Sequence, residues 1–191
     1  VSHDTKHAIV NFADTRGVDT ILAEHEPLRL RSRIVGDPID WVVRHATCDV
    51  LLVDNLGYDS PQRVVLSGQS SPYSPAAVDV AGAVATANGG RLTLRYPAET
   101  GDGGPQAATV DDYHTELAEL LSVPVTAEPV RPDGGHSPEL VVRRGADGRL
   151  RDIVFDDRPL VPSPGCTTVT VYPHESRQRG VVHRLLERLT F

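Results

Sequence analysis

The sequence predicts an α/β fold in which helices flank parallel strands, and two observations lead to this prediction. First, short runs rich in Val, Leu and Ile alternate with longer amphipathic or alanine-rich segments, which is the order of βαβ units. Second, two such runs, Asp49–Asp54 and Arg63–Ser67, are separated only by a polar, turn-rich linker. We therefore expect the tail of one α/β unit joined to the head of the next.

The first part of the chain predicts the order helix, strand, helix, strand. The predicted elements are a helix over Ser2–Arg16, a strand over Val18–Glu24, a helix over Pro38–Ala46 and a strand over Asp49–Asp54. Gly17 ends the first helix, and Asp37 with Pro38 is a typical cap and first-turn pair for the second. Because no strand precedes the first helix and residue 1 is not Met, we expect the chain to be the end of a longer protein.

The rest of the chain predicts a longer series of strands and helices. The predicted strands are Arg63–Ser67, Arg91–Tyr96, Val123–Val130, Glu139–Arg144, Asp152–Phe155 and Thr167–Tyr172. The predicted helices are Pro75–Asn88, Thr109–Leu121 and Gln178–Leu189. Gly89-Gly90 ends the first of these helices, since two glycines disfavour helix continuation.

A repeated sequence pattern indicates two related units. Cys48 precedes the strand in HATCDVLLV, and Cys166 precedes the strand in SPGCTTVTV, each before the last strand of its unit. A repeated order of elements around a repeated residue is typical of duplicated units. We assign residues 1–57 to the C-terminal half of a first unit and residues 62–191 to a second unit.

Composition and charge restrict the class of function. The chain has 191 residues, enough to bury a core without disulfides, and its 39% hydrophobic and 24% charged content is typical of globular proteins. A formal net charge of −7 disfavours a nucleic-acid surface. Two cysteines are too few for a disulfide scaffold and indicate a reducing compartment. No apolar run approaches the roughly 18 residues of a membrane span.

Two stretches resemble universal stress proteins (Usp). VDTILAE, a loop ending in Gly36, the helix DPIDWVVRHA and the strand TCDVLLV resemble the C-terminal half of a Usp domain, and RVVLSGQSSPYSPAAVDVAGAVATANGGRLTLRY resembles the start of a second domain. The resemblance implies a three-layer α/β/α parallel-sheet fold of the adenine nucleotide alpha hydrolase-like type, in tandem, with the first unit incomplete and the second degenerate. Such chains resemble the cytoplasmic tandem-Usp tails of prokaryotic amino-acid permeases and cation–chloride cotransporters.

Nucleotide-binding members of this family carry a loop of the form G-x2-G-x9-G-[ST], whose backbone N–H groups cradle phosphates. When the pattern is anchored on Gly36, Ala23 and Glu26 occupy the first two glycine positions and Asp37 occupies the Ser/Thr position. The two carboxylates would repel a polyphosphate, and no metal motif offsets this cost. The first unit is therefore predicted not to bind ATP in the family's usual way.

The second unit departs from the same pattern. Gly145 and Gly148 match its start, but Arg158 stands where the third glycine belongs, and a hairpin turn explains this stretch more simply. The acidic residue that the family often carries after its first strand is replaced by Ser67-Gly68-Gln69. We predict that this unit does not bind ATP in the usual way either, and we expect no cofactor.

Other candidate groups have simpler structural explanations. His3 and His7, one helical turn apart, could bind a metal with a third ligand, but exposed histidines near a terminus are commoner and we predict no metal. We interpret Ser70, Ser71 and Ser74 as turn and cap residues, Cys48 and Cys166 as buried thiols, Asp111 and Asp112 as a helix N-terminus, Asp156 and Asp157 as a turn, and Trp41 as a core residue. No set of residues combines an acid, a base and a nucleophile, so we predict no enzymatic activity.

These inferences predict a non-catalytic regulatory or assembly domain. The resemblance places it on the cytoplasmic side of the cell membrane, as part of an integral-membrane transporter for amino acids or cations. The expected partners are the transporter's own membrane domain and a second copy bound through a sheet edge, and not nucleic acid. The alternative is a soluble nucleotide-binding universal stress protein that acts as a sensor.

Overall fold

The computed structural model describes residues 4–24, 38–68, 73–96, 105–130, 138–145 and 166–174. The helices are α1 (Thr5–Arg16), α2 (Pro38–His45), α3 (Pro75–Ala87) and α4 (Pro105–Leu120). The strands are β1 (Thr20–Glu24), β2 (Asp49–Asp54), β3 (Arg63–Ser67), β4 (Arg91–Tyr96), β5 (Val125–Pro129), β6 (Leu140–Arg144) and β7 (Thr167–Tyr172). The predicted bounds of β2, β3, β4 and β7 are confirmed, and the other described elements differ only at their ends.

The described strands form one sheet in the order β1-β2-β7-β6-β3-β4-β5. Every neighbouring pair is parallel except β2 and β7, which are antiparallel. The sheet therefore consists of a parallel block of β1 and β2 and a parallel block of β3 to β7. The predicted α/β class is confirmed, with one refinement, because an antiparallel pairing joins the blocks into a single mixed sheet.

A local two-fold axis at the centre of the β2–β7 pair relates the strand pair β1–β2 to the strand pair β6–β7. β1 starts its pairing with β2 at Thr20↔Asp49, and β6 starts its pairing with β7 at Leu140↔Thr167. Asp49 and Thr167 therefore occupy corresponding positions, and so do the cysteines that precede them. Counted in the same way, Leu52 corresponds to Thr170, and these two residues pair with each other at the centre of the β2–β7 contact. The repeated cysteine of the sequence thus marks matched positions in the sheet, while the unit boundaries at residues 57 and 62 stay a prediction.

The helices cover both faces of the sheet. Along β2, Val50 and Leu52 belong to the apolar cluster under α1 and α2, whereas Leu51 and Val53 pack against the larger cluster under α3 and α4. Since successive strand residues point to opposite faces, the two helix pairs lie on opposite sides of the sheet. This arrangement is the three-layer α/β/α architecture that the sequence predicts.

The core of the second block lies between its strands and α3. Small residues on α3, among them Ala77, Ala81 and Ala85, are buried and let the helix approach the strands closely. The largest fully buried side chains of this block are Leu66, Leu92, Leu94, Leu117 and Leu140. Burial of a leucine side chain contributes about 1.5–3 kcal/mol, so these five leucines together contribute substantially to stability.

Glycines end the helices where the sequence places them. Gly17 takes a left-handed conformation (φ 60°) at the end of α1, and its N–H donates to Asp14 O at 3.2 Å. Gly89, after α3, also has φ 60°. At Gly90 a Cβ atom would lie 2.8 Å from Gln62 O, so only glycine fits where the chain passes the start of β3.

Some predictions fall outside the described residues. They are the strand Asp152–Phe155, the helix Gln178–Leu189 and the loop between β1 and α2. No helix among the described residues has the length and apolar character needed to span a bilayer.

Candidate functional site

The strand order identifies one place in the sheet where a ligand site is expected. From β3 the chain continues to β4 on one side, while β6 lies on the other side of β3. In open α/β sheets, ligands bind outside the carboxyl ends of the strands at such a switch point. The candidate site is therefore formed by Ser67 and Gly68 at the end of β3, by Arg144 and Gly145 at the end of β6, and by the first turn of α3.

At the end of β3 the backbone is already hydrogen-bonded. The N–H of Gly68 donates to Arg95 O at 3.0 Å, which extends the β3–β4 pairing by one residue. Ser67 is partly buried and brings no carboxylate to the site. The nearby Arg95 side chain is buried, and its Nε donates to Glu128 Oε1 at 2.6 Å across the β4–β5 pair. The charges of Arg95 and Glu128 therefore neutralise each other.

At the end of β6, Gly145 is fixed by packing and by a hydrogen bond. Its N–H donates to Val171 O at 2.8 Å, and a Cβ atom at this position would overlap the ring of Tyr172. Tyr172 is 8% exposed, and burial raises its pKa to about 12. Glycine at 145 is therefore required by a tyrosine ring, an explanation that needs no phosphate. Gly148 and Arg158, the other predicted positions of this loop, lie outside the described residues.

An aromatic cluster fills the space beside the site, between the ends of β3 and β4 and the helices α3 and α4. The Tyr73 N–H donates to Tyr113 Oη at 3.1 Å, and Tyr73 Oη lies 3.4 Å from His114 Nε2. The rings of Tyr96 and His114 are 4.7 Å apart between centroids. Burial raises the pKa of Tyr113 to about 12 and also raises the pKa of Tyr73. These phenols hold their protons at neutral pH and cannot act as bases.

The first turn of α3 offers a polar group. Ser74 occupies the N-cap position before Pro75, as predicted, but its side chain makes no capping hydrogen bond. Its Oγ is buried and has no hydrogen-bond partner among the described residues. A helix N-terminus favours anions because its N–H groups and dipole point outward. This turn is therefore the part of the site that retains some capacity for a ligand.

In the first block, only one of the predicted loop positions is described. Ala23 lies in β1 and is partly buried against the cluster under α1 and α2. Glu26, Gly36 and Asp37 lie outside the described residues. The prediction that carboxylates stand where a phosphate loop needs glycines stays a prediction.

A second group of polar rings lies on the surface between α1 and α2. The Trp41 ring lies between those of His7 and His45, with centroid distances of 4.1 and 4.0 Å. Lys6 Nζ lies 5.6 Å from the centre of the same ring. His7 Nδ1 is also 2.7 Å from Asp4 Oδ2. Trp41, interpreted as a core residue, is partly buried, packs against the apolar cluster under α1 and α2, and joins the two helices.

The other candidate residues are the two cysteines, the paired carboxylates and the possible metal ligands. Cys48 and Cys166 are free and buried, as interpreted, and burial raises the pKa of the Cys48 thiol. The interpretation of Asp111 and Asp112 as a helix N-terminus is wrong, because α4 begins earlier, at Pro105. Proline is favoured in a first helical turn, so it can start the helix there. The described residues contain no group of three potential metal ligands, and His3, Ser70, Ser71, Asp156 and Asp157 lie outside them.

Sequence reasoning missed both ring clusters. Tyr73, Tyr96 and the Tyr113-His114 pair lie on different elements and match no motif, so only the fold brings them together. The stack on α2 could have been found, since Trp41 and His45 are four residues apart on one helix face.

Comparison with known proteins supports the fold. The chain is similar to a universal stress protein from Archaeoglobus fulgidus DSM 4304, with a TM-score of 0.56 and 16% identity over 90% of this chain and 66% of that chain. A protein of unknown function from Pseudomonas aeruginosa PAO1 gives a TM-score of 0.45 at 14% identity over 97% of this chain and 72% of that one. A candidate universal stress protein from Pseudomonas aeruginosa UCBPP-PA14 gives 0.44 at 14% over 96% and 72%.

The chain thus spans 66% of the length of the first of these proteins. Neither a protein-family model nor a curated protein matches it. At 16% identity the likeness concerns the fold, and the sheet with its flanking helices has the universal stress protein fold.

Proposed function

We propose that this chain is a non-catalytic regulatory or assembly domain that does not bind ATP in the manner of nucleotide-binding universal stress proteins. The proposal is based on the backbone hydrogen bonds at the switch point between β3 and β6. Gly68 and Gly145 both use their N–H groups within the sheet, at 3.0 and 2.8 Å.

A bound phosphate needs free hydrogen-bond donors from the protein. A phosphate cradle presents several free N–H groups on a backbone without side-chain obstruction. Here the N–H groups at the two strand ends are engaged, and the Tyr172 ring lies against the Cα of Gly145. Binding in the usual way would require breaking a strand-end hydrogen bond and displacing a buried ring. Breaking one such bond without replacement costs about 1–3 kcal/mol.

The protonation of the phenols at and beside the site is consistent with the same proposal. Tyr172 at the switch point and Tyr73 and Tyr113 beside it have raised pKa values, and Arg95 is engaged by Glu128. A general base must accept a proton near neutral pH, which these phenols cannot do. These three phenols therefore supply no general base, which fits a binding or assembly domain.

Titration calorimetry with ATP and Mg²⁺ tests the first part of the proposal. We expect no binding with a micromolar Kd, and the same result for ADP and AMP. Micromolar binding of ATP would refute the proposal and favour the alternative, a soluble nucleotide-binding sensor. One observation favours that alternative, namely the buried Ser74 Oγ at the N-terminus of α3, which has no hydrogen-bond partner among the described residues. If ATP bound through this turn, Ser74→Ala would weaken it.

We further propose that the domain acts on the cytoplasmic side of an amino-acid or cation transporter, as the resemblance of residues 18–54 and 63–96 implies. The reading frame upstream of Val1 in the gene tests this part. A series of apolar spans of about 20 residues each in that frame would support it. A frame without such spans would refute it and leave the assembly role to be tested separately.

A further inference from the structure

Side chains hold the linker between β2 and β3, residues 55–62, against the C-terminal end of α3. Asn88, the C-cap residue of α3, donates from Nδ2 to Tyr58 Oη at 3.0 Å and to Val84 O at 2.7 Å. From the linker, Gln62 Nε2 donates to Asn88 O at 2.7 Å. We call Tyr58, Gln62 and Asn88 the Asn88 cluster. One asparagine therefore ties two points of the linker to the helix.

The Asn88 side chain acts as a hydrogen-bond donor at this position. A backbone carbonyl oxygen can only accept, so the side-chain atom that faces Val84 O must be Nδ2. A carboxylate has no N–H to donate, and the C-terminus of a helix disfavours negative charge. Asn55 differs, because its Oδ1 accepts from the N–H groups of Gly57 and Tyr58, both at 3.1 Å. An aspartate can accept as Asn55 does, but it cannot donate as Asn88 does.

Asn88 is also the asparagine of this chain best placed for a chemical change. The chain has three asparagines, Asn11, Asn55 and Asn88, and only Asn88 is followed by a glycine. Deamidation begins when the backbone nitrogen of the next residue attacks the side-chain amide carbon, and a side chain on that residue obstructs the approach. Gly89 has no side chain and is exposed, so it obstructs neither this attack nor the entry of water.

We propose that Asn88 is a site of spontaneous deamidation, and that its modification releases the linker from α3. The Gly89 nitrogen forms a bond to Cγ of Asn88, the Cγ–Nδ2 bond breaks, and ammonia leaves with the proton of the Gly89 N–H group. Water then opens the cyclic imide by breaking one of its two C–N bonds. The product is aspartate or, when the backbone then runs through Cγ, isoaspartate. Water is consumed and ammonia released, and neither an oxidant nor a reductant is needed.

The folded structure slows this reaction through hydrogen bonds on both reacting groups. The attacking group, the Gly89 N–H, donates to Thr86 O at 3.1 Å. The leaving group, Nδ2 of Asn88, is held by Tyr58 and Val84. These bonds must open before the Gly89 nitrogen can reach Cγ. The rate therefore depends on local opening at the end of α3, which a folded chain undergoes without unfolding globally.

Both products weaken the contact between the linker and α3. Aspartate lacks the Nδ2 donor, so the hydrogen bonds to Tyr58 Oη and Val84 O are lost. Isoaspartate also adds a carbon atom to the backbone just before the glycine pair. At Gly90 the chain already lies so close to Gln62 that a Cβ atom would be 2.8 Å from Gln62 O, so the longer backbone must shift against the linker. The inference goes beyond the proposed function and does not rest on it.

Peptide mapping by mass spectrometry tests the site. The whole chain is incubated at neutral pH, folded or in urea, and conversion of each asparagine to the acid is followed with time. We expect Asn88 to convert well before Asn11 and Asn55. In the folded chain its rate should be about tenfold or more below that in urea, because hydrogen bonds must open first. Equal rates at the three positions, or an Asn88 that stays intact in the folded chain, would overturn the proposal.

A pair of tyrosine variants tests how the Asn88 cluster controls the rate. Tyr58→Phe removes the hydroxyl that accepts from Asn88, and it should speed conversion in the folded chain about two- to tenfold, the effect of one hydrogen bond. The control Tyr96→Phe removes a hydroxyl at the opposite end of β4 and should leave the rate unchanged. A Tyr58→Phe rate equal to that of the wild type would show that the cluster does not protect Asn88.

Limited proteolysis tests the release of the linker. Chymotrypsin cuts after aromatic residues, and a cut after Tyr58 requires the linker to leave its place on α3. Asn88→Asp, which has the structure of one product, should raise the initial rate of this cut about tenfold, the effect of losing two hydrogen bonds. The matched control Asn55→Asp adds the same charge within the linker but keeps the acceptor for Gly57 and Tyr58, and should cut at the wild-type rate.

Equal rates of cutting in Asn88→Asp and Asn55→Asp would contradict the release of the linker. None of these measurements involves a nucleotide, so the outcome is independent of the calorimetric test of the proposed function.

Discussion

The contact between Gly145 and Tyr172 makes a sharp test of the candidate site. Gly145→Ala adds a Cβ atom that would overlap Cε1, Cζ and Cδ1 of the Tyr172 ring. The backbone of Gly145 does not adopt the left-handed region, so the substitution introduces no backbone strain and reports the steric contact only. We expect the free energy of unfolding to fall by about 1–3 kcal/mol, the usual cost of overpacking a core. Urea unfolding at neutral pH, with an unchanged m-value, measures it.

A double-mutant cycle separates this explanation from a phosphate-binding role. In a Tyr172→Ala background the ring is gone, so Gly145→Ala should then cost little, and the coupling between the two changes should approach the full cost of the single substitution. If the glycine were kept for a phosphate instead, Gly145→Ala would leave stability unchanged in both backgrounds. That outcome would refute the packing argument on which the proposed function depends.

Two further predictions concern pH. Hydrogen bonds from the N–H groups of Gln62 and Arg63 hold the pKa of Glu139 below its ordinary value, so its stabilisation is present above the unfolded pKa and is lost as pH falls through the folded pKa. Glu139→Gln should therefore lower the unfolding midpoint in urea at pH 7 and converge with the wild type in acid, whereas the exposed control Glu116→Gln should change neither; a constant difference at all pH values would contradict this. Burial raises the pKa of three of the five tyrosines, so their stabilisation is lost as pH rises above about 10. Ultraviolet absorbance should show these phenols ionising only with unfolding, and reversible ionisation of all five in the folded chain would contradict the packing. The three are Tyr73, Tyr113 and Tyr172.

Much of the fold could be predicted because its signals are local. Val-rich runs between polar turns gave the bounds of β2 and β3, and Gly17 and Gly89 end their helices with the left-handed φ that glycine tolerates best. The start of α4 could not be predicted in this way. Residues 105–108 (PQAA) contain no large apolar side chain that would mark a buried helix face before Thr109, while Pro105 can begin a helix wherever its first turn fits the surroundings.

The candidate site was less predictable. The sequence indicated that Gly145 and Gly148 do not complete a phosphate loop, but it could not show that the Gly145 N–H is bound to Val171. Tyr73 and His114 likewise approach each other only because α3 and α4 pack on the same face of the sheet. Such contacts depend on elements far apart along the chain, for which a single sequence carries no pattern.

The sequence by itself determined the succession of helices and strands, the burial of Cys48 and Cys166, and the correspondence between them, because periodicity and turn residues act over a few neighbouring positions. Only the tertiary structure decided that β2 pairs with β7. It also decided that the N–H groups of Gly68 and Gly145 donate hydrogen bonds to neighbouring strands. The pairing of β2 with β7 follows from the free energy of burying strands against partners more than 100 residues away, as in the pairing of Val50 with Tyr172, and that free energy is a property of the assembled sheet.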